Sequence, residues 1–139
     1  MTRRDFIYRS AILGAGASLS PMLVRASGKQ VGANDKIRVG LIGCNGMGFS
    51  NLTSFLRNSE VECIALADID QGVLDRRAAE VEKIQGKKPK GLYKDWRHLI
   101  DNKDVDVVIV GTPDHWHCLQ MVAACEAGKD VYCEKPLGN

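Results

Sequence analysis

Residues 37–48, Ile37-Arg38-Val39-Gly40-Leu41-Ile42-Gly43-Cys44-Asn45-Gly46-Met47-Gly48, decide the fold. Ile37 to Ile42 is an apolar run suited to a buried strand, and glycines crowd in directly behind it. Leu52, Phe55 and Leu56 then recur at helical spacing, so the glycine turn joins a strand to a helix. Val61 to Ala67 reads as a second strand, and Asp68 ends it twenty residues beyond Gly48. A strand, a glycine turn, a helix, a strand and a terminal acid in that order are the pattern of a dinucleotide-binding unit. The turn brings backbone N–H groups at a helix start close to a pyrophosphate, where the helix dipole favours an anion.

Each residue of the turn has an expected task. Gly43 suits the tight bend and Gly48 the close helix–strand contact. Asn45 stands at the middle position, where glycine is usual. Asn tolerates positive φ, and Gly46 follows it at once. Gly43, Asn45, Gly46, Met47 and Gly48 are therefore candidate cofactor-binding residues. Asp68 joins them, since a carboxylate there can bind both ribose hydroxyls and repels a 2′-phosphate. NAD is the expected cofactor. Arg76 and Arg77 leave NADP open, although the simpler reading of both is a solvated helix face.

Working outward, Leu74, Ala78 and Val81 mark the buried face of a second helix that Gly86 ends. Gly91 to Tyr93 is a short third strand, and Asp95 caps a brief helix through Ile100. Val105 to Val110 is an apolar run, broken only by Asp106, suited to a buried parallel strand. Asp114 is expected to cap a helix with Leu119, Val122 and Ala123 inward and Gly128 as its stop, before a fifth strand, Val131 to Cys133. Strands alternating with helices give an α/β fold, a doubly wound parallel sheet of Rossmann type.

Two further motifs follow strands and so belong on the ligand-binding rim of such a sheet. Thr112-Pro113-Asp114-His115-Trp116-His117 follows the fourth strand. Two histidines around an indole offer proton-active and stacking groups, and equally suit a helix start with a packed Trp. No Cys or acid cluster supports a metal reading of His115 and His117. Glu134-Lys135-Pro136 follows the fifth strand, and a lysine there can polarise a hydroxyl or carbonyl or act as an acid.

The 139 residues allow one domain and a leader. Of the formal charge of +2, the first 26 residues carry +3, so the remainder offers no basic field for nucleic acid. Thr2-Arg3-Arg4-Asp5-Phe6-Ile7 resembles a bacterial twin-arginine export motif. The region from Ala11 to Val24 is too short and too broken to span a membrane, and Val24-Arg25-Ala26 suits a signal peptidase. The expected organisation is a twin-arginine signal peptide over 1–26, a linker over 27–35 and a nucleotide-binding domain over 36–139. The expected location is periplasmic or otherwise exported. Five cysteines, an odd number with no Cys-x-x-Cys, read as free thiols rather than a disulfide framework.

Taken together, the Gly43–Gly48 turn, Asp68, Tyr93-Lys94-Asp95-Trp96, Thr112 to His117 and Glu134-Lys135-Pro136 resemble the glucose–fructose oxidoreductase / inositol dehydrogenase family, from Ile37 to the end. The resemblance implies a Rossmann domain for NAD(P) followed by a substrate domain that this chain lacks. It reads the chain as an N-terminal fragment with an incomplete sheet, marginal and association-prone alone. It implies that Lys135 is catalytic, contacting the reacting sugar hydroxyl. Thr112, Pro113, His117 and Glu134 then join the cofactor-binding set, with His117 lining the nicotinamide pocket. Asp114 departs from the Asn often found there. The implied function is NAD(P)-dependent hydride transfer on a sugar, cyclitol or related polyol by a homo-oligomeric full-length protein. An NAD-dependent glycoside hydrolase using transient oxidation and a non-catalytic sugar-binding protein are the alternatives.

Overall fold

The computed structural model describes residues 36–137. The expected leader, linker and cleavage site lie outside these residues. Five strands alternate with four helices: β1 (Ile37–Ile42), α1 (Gly46–Phe55), β2 (Val61–Ala67), α2 (Gln71–Gln85), β3 (Gly91–Tyr93), α3 (Trp96–Asp101), β4 (Val107–Val110), α4 (Asp114–Glu126) and β5 (Asp130–Cys133). All pairings are parallel, and the strand order is β3-β2-β1-β4-β5. The chain therefore winds outward from β1 in one direction through β3, then crosses back to β4. The point where the order reverses lies between β1 and β4, the crevice in which an open α/β sheet binds its ligand.

The central strands are buried on both faces, so their side chains divide between two cores. Val39, Leu41, Cys63, Leu66 and Ile109 pack under Leu52 and Phe49 of α1 and Leu74, Ala78 and Val81 of α2. On the other face Ile42, Ala65, Ala67, Val108 and Val110 meet Leu99 and Ile100 of α3 and Ala124 of α4. At the end of the sheet away from the crevice, Arg38 Nε and Nη2 donate to both carboxylate oxygens of Asp106 at 2.9 and 2.7 Å, a forked pair that ties β1 to the entry of β4.

The expectations for β1, β2, β3 and the α2 face match this structure. The α4 face differs. Leu119 and Val122, expected inward, are 50% and 43% exposed, while His117, Gln120 and Ala124 are buried. The helix is rotated so that two polar side chains face in, where each finds a hydrogen-bond partner. Apolar periodicity cannot anticipate that choice. Nor does Asp114 cap α4: it is the first helical residue, and Pro113 holds the cap position without a side-chain bond.

All five cysteines are free, with Cys44 and Cys63 buried, Cys133 half-buried and Cys118 and Cys125 exposed. Burial, reinforced by the Asp68 carboxylate, pushes the Cys44 thiol well above its usual range, and burial, with a smaller push from the Glu62 carboxylate, raises Cys63 to about 12. Once unfolded, both ionise near about 8.5. Their contribution to stability is thus complete below that pH and is lost as pH rises toward the folded values. Each thiol adds a slope of about 1.4 kcal/mol per pH unit in that window. Urea melts should show stability falling above about pH 9, and Cys63→Ala should flatten the fall. Alkylation of the native protein should label Cys118 and Cys125 and spare Cys44 and Cys63 until denaturant is added.

Candidate active site

Four loops leave the sheet at the same edge, and the last rungs of the ladder hold them there. Gly43 N donates to Ala67 O at 2.9 Å, Asp68 N to Tyr93 O at 3.0 Å, Gly111 N to Ile42 O at 2.8 Å and Glu134 N to Val110 O at 3.0 Å. The residues that the sequence singles out after β1, β2, β4 and β5 thus line one rim.

The glycine turn is built from backbone packed on backbone. A Cβ on Gly43, whose φ is +82°, would lie 2.7 Å from Gly111 C and Thr112 N. A Cβ on Gly48 would overlap Gly43 O, and one on Gly111 would overlap Gly48 Cα. Gly111 is the third member of this contact and escapes a sequence reading centred on the first turn; its signal was a glycine directly after the β4 apolar run. Asn45 does not use positive φ. It is extended, with φ −108° and ψ 171°, and Gly46 takes the left-handed conformation at +48°. Asn45, Gly46 and Met47 form an exposed lip, and a Cβ on Gly46 would meet nothing within 4 Å.

The start of α1 also differs from those of its neighbours. Asp70 caps α2 by accepting from Gly72 N and Val73 N at 2.7 and 3.2 Å, and Asp95 caps α3 by accepting from Arg97 N at 2.9 Å. At α1 no side chain caps the N–H groups and no acid stands in the first turn. Free N–H donors at a dipole's positive end, behind an open lip, fit the pyrophosphate of a dinucleotide.

Asp68 is half-buried and works on the turn itself. Its Oδ2 accepts from Cys44 N at 2.9 Å and its Oδ1 from Asp70 N at 3.1 Å. Arg77, expected to be solvated, instead lies over the turn. Its Nε donates to Cys44 O at 3.1 Å, and its guanidinium carbon sits 4.0 Å from the centroid of the Phe49 ring. Arg76 is exposed, as expected.

Across the crevice, the loops after β4 and β5 are tied together by His117. The ring is 1% exposed, with Nε2 2.6 Å from Thr112 O and Nδ1 2.8 Å from Pro136 O. Both partners are backbone carbonyls, so a ring nitrogen that carries a proton donates to the carbonyl it faces, and the imidazole is enclosed between the two loops. The ring expected to line the pocket is buried between the two loop carbonyls. His117 thereby bridges the Thr-Pro and Glu-Lys-Pro loops. Thr112 Oγ1 donates to Gln120 Oε1 at 2.7 Å, fixing the same loop from α4. Glu134 is held by Asn51 of α1, whose Nδ2 donates to Oε1 at 2.7 Å. That bond links the last turn to the glycine helix across 83 residues. Lys135 is exposed and makes no hydrogen bond or ion pair with the described residues, so its ammonium is free for a ligand. Pro113, His115 and Trp116 are exposed on the same rim. Among the described residues no group of three or more His, Cys, Asp or Glu could hold a metal ion, and no helix is long and apolar enough to cross a membrane.

Comparison with known proteins bears on this geometry. The family model described as an oxidoreductase family with an NAD-binding Rossmann fold matches residues 37–139. A glycosyl hydrolase family 109 protein of Stenotrophomonas maltophilia is 34% identical over 143 residues, covering 99% of this chain and 30% of that protein. The crystal structure of an NAD binding oxidoreductase from Klebsiella pneumoniae superposes with a TM-score of 0.64 at 36% identity, covering 74% of this chain and 28% of that one. A myo-inositol dehydrogenase from Lactobacillus casei, in complex with NAD(H) and myo-inositol, gives a TM-score of 0.65 at 25% identity, covering 74% and 29%. This chain spans less than a third of each. The matched family model, on the glycine turn and sheet order just described, places the chain in the glucose–fructose oxidoreductase / inositol dehydrogenase (Gfo/Idh/MocA) family, as its NAD-binding Rossmann domain.

Proposed function

We propose that this domain is the nucleotide-binding part of a longer NAD-dependent oxidoreductase that acts on a sugar, cyclitol or related polyol. The observation that carries the proposal is the convergence of the uncapped α1 terminus, Asp68 and the uncommitted Lys135 on one sheet edge. The pyrophosphate would rest on the N–H groups of Gly46, Met47 and Gly48, with the adenosine ribose toward Asp68. Asp68 favours NAD, because a 2′-phosphate would face its carboxylate. Bound NAD would supply the hydride acceptor for a carbon bearing a hydroxyl. Lys135 Nζ would donate a hydrogen bond to that hydroxyl oxygen and stabilise the negative charge it gains as the carbon–hydrogen bond breaks. Glu134, fixed by Asn51, and His117, fixed by its two carbonyls, set the position of the turn that carries Lys135. A homo-oligomeric full-length protein belongs to the same proposal.

A second reading is favoured by the family 109 relative: glycoside cleavage through transient oxidation, in which the hydride returns to the sugar. Export favours it too. The arginine pair at Arg3 and Arg4 and the small residue Ala26 suit a twin-arginine signal, and an exported enzyme has no replenished NAD pool. Redox-neutral turnover on a retained cofactor would meet that constraint. The test is product analysis of the full-length protein with a sugar and with a glycoside. Stoichiometric NADH from the free sugar supports the dehydrogenase. Release of free sugar from the glycoside without net NADH supports the hydrolase.

A further inference from the structure

Asn45 occupies the place in the turn where a side chain is least welcome, because the backbone must approach a pyrophosphate there. Its side chain is nevertheless not loose. Arg77 reaches from the second turn of α2 and makes three donor contacts with its fork. Nη2 donates to Asn45 Oδ1 at 3.2 Å, Nε to Cys44 O at 3.1 Å and Nη1 to Glu80 Oε2 at 2.7 Å. The face of the guanidinium lies on Phe49, a buried residue of α1. Only 18% of the Arg77 side chain is exposed, so its rotamer is fixed by the ring beneath it and the acid beside it. Asn45 itself is exposed and extended and makes no side-chain cap to α1, which leaves Arg77 as the group that orients its amide.

We infer that Arg77 is a positioning residue for the dinucleotide: it draws the Asn45 side chain toward α2 and so clears the α1 N–H groups for the pyrophosphate. This rests on the nucleotide-binding reading above. A planar fork is required, because one side chain must meet a backbone carbonyl, an amide oxygen, a carboxylate and an aromatic face together. Lysine offers a point charge and cannot do so. Arg77 and Asn45 thus replace, as a pair, what a glycine at the middle position does by having no side chain.

The test is a double-mutant cycle in the full-length protein, with NAD and NADP dissociation constants measured by calorimetry and unfolding midpoints measured alongside. Arg77→Gln and Arg77→Lys should each weaken NAD by about tenfold in the native background. Asn45→Gly supplies the second background, in which Arg77→Gln should cost no more than about twofold. NAD and NADP should lose affinity in equal proportion. An equal loss from Arg77→Gln in both backgrounds would overturn the inference and leave Arg77 a support of the fold. A loss confined to NADP would also overturn it, showing Arg77 to be a 2′-phosphate ligand. Failure of the folded wild type to bind either dinucleotide would overturn the nucleotide-binding reading and this inference with it.

Discussion

Replacing Lys135 by Met should lower turnover of the full-length enzyme by about 10²- to 10⁴-fold, the range that one positioned proton-transfer group contributes. NAD affinity should stay within about threefold, because the pyrophosphate contacts arise on the opposite side of the crevice. The reason for expecting so large and so selective an effect is structural. Lys135 is exposed at the rim, while its neighbours are immobilised: Glu134 by Asn51, and Pro136 through its carbonyl by His117. No described residue competes for its ammonium, so removing it should cost no internal ion pair and little stability. Methionine keeps most of the stem and its packing while deleting the charge. The measurement is steady-state kcat and KM beside NAD binding and the unfolding midpoint. A Met variant with unaltered kcat would remove Lys135 from the chemistry.

Gly48→Ala should be the most damaging single methyl in the domain. The added Cβ would overlap Gly43 O, and the atoms around it are the backbone of Gly111 rather than a yielding side chain. Relief requires α1 to move away from β1 and β4, which opens the turn that holds the α1 N–H groups in place. Overpacking of this kind costs about 1–3 kcal/mol of stability. The accompanying loss of NAD affinity should be on the order of 100-fold, equivalent to about 2.7 kcal/mol. Calorimetry and thermal unfolding on the same preparation separate the two effects, since a folded variant with normal affinity would show that close α1 approach is not what binds the cofactor.

Much of this site could be read before any coordinates, for local reasons. The strands β1 and β2 are largely apolar runs, each with one charged residue near its start, that end at glycine or acid, and α2 shows its buried face in Leu74, Ala78 and Val81. What escaped reading were contacts between residues far apart in the chain. Asn51 and Glu134, Gly48 and Gly111, and Arg77 and Asn45 are each set by the sheet order, which no window of sequence contains. Helix α4 misled for a different reason. Its inward face carries His117 and Gln120, whose polar atoms are satisfied by Thr112 and Pro136, so the more apolar residues were left to solvent. Asn45 misled because its permissiveness toward positive φ is a property of the residue, whereas the chain placed that conformation one position later, at Gly46.

The most direct test of the central claim is to purify the full-length protein without added cofactor, denature it and assay the released dinucleotide, then titrate any empty protein with NAD. The account predicts about one NAD(H) per chain, or a single NAD site if the protein is empty, with NADP bound more weakly because of Asp68. A folded protein that releases no dinucleotide and takes up neither NAD nor NADP would contradict it.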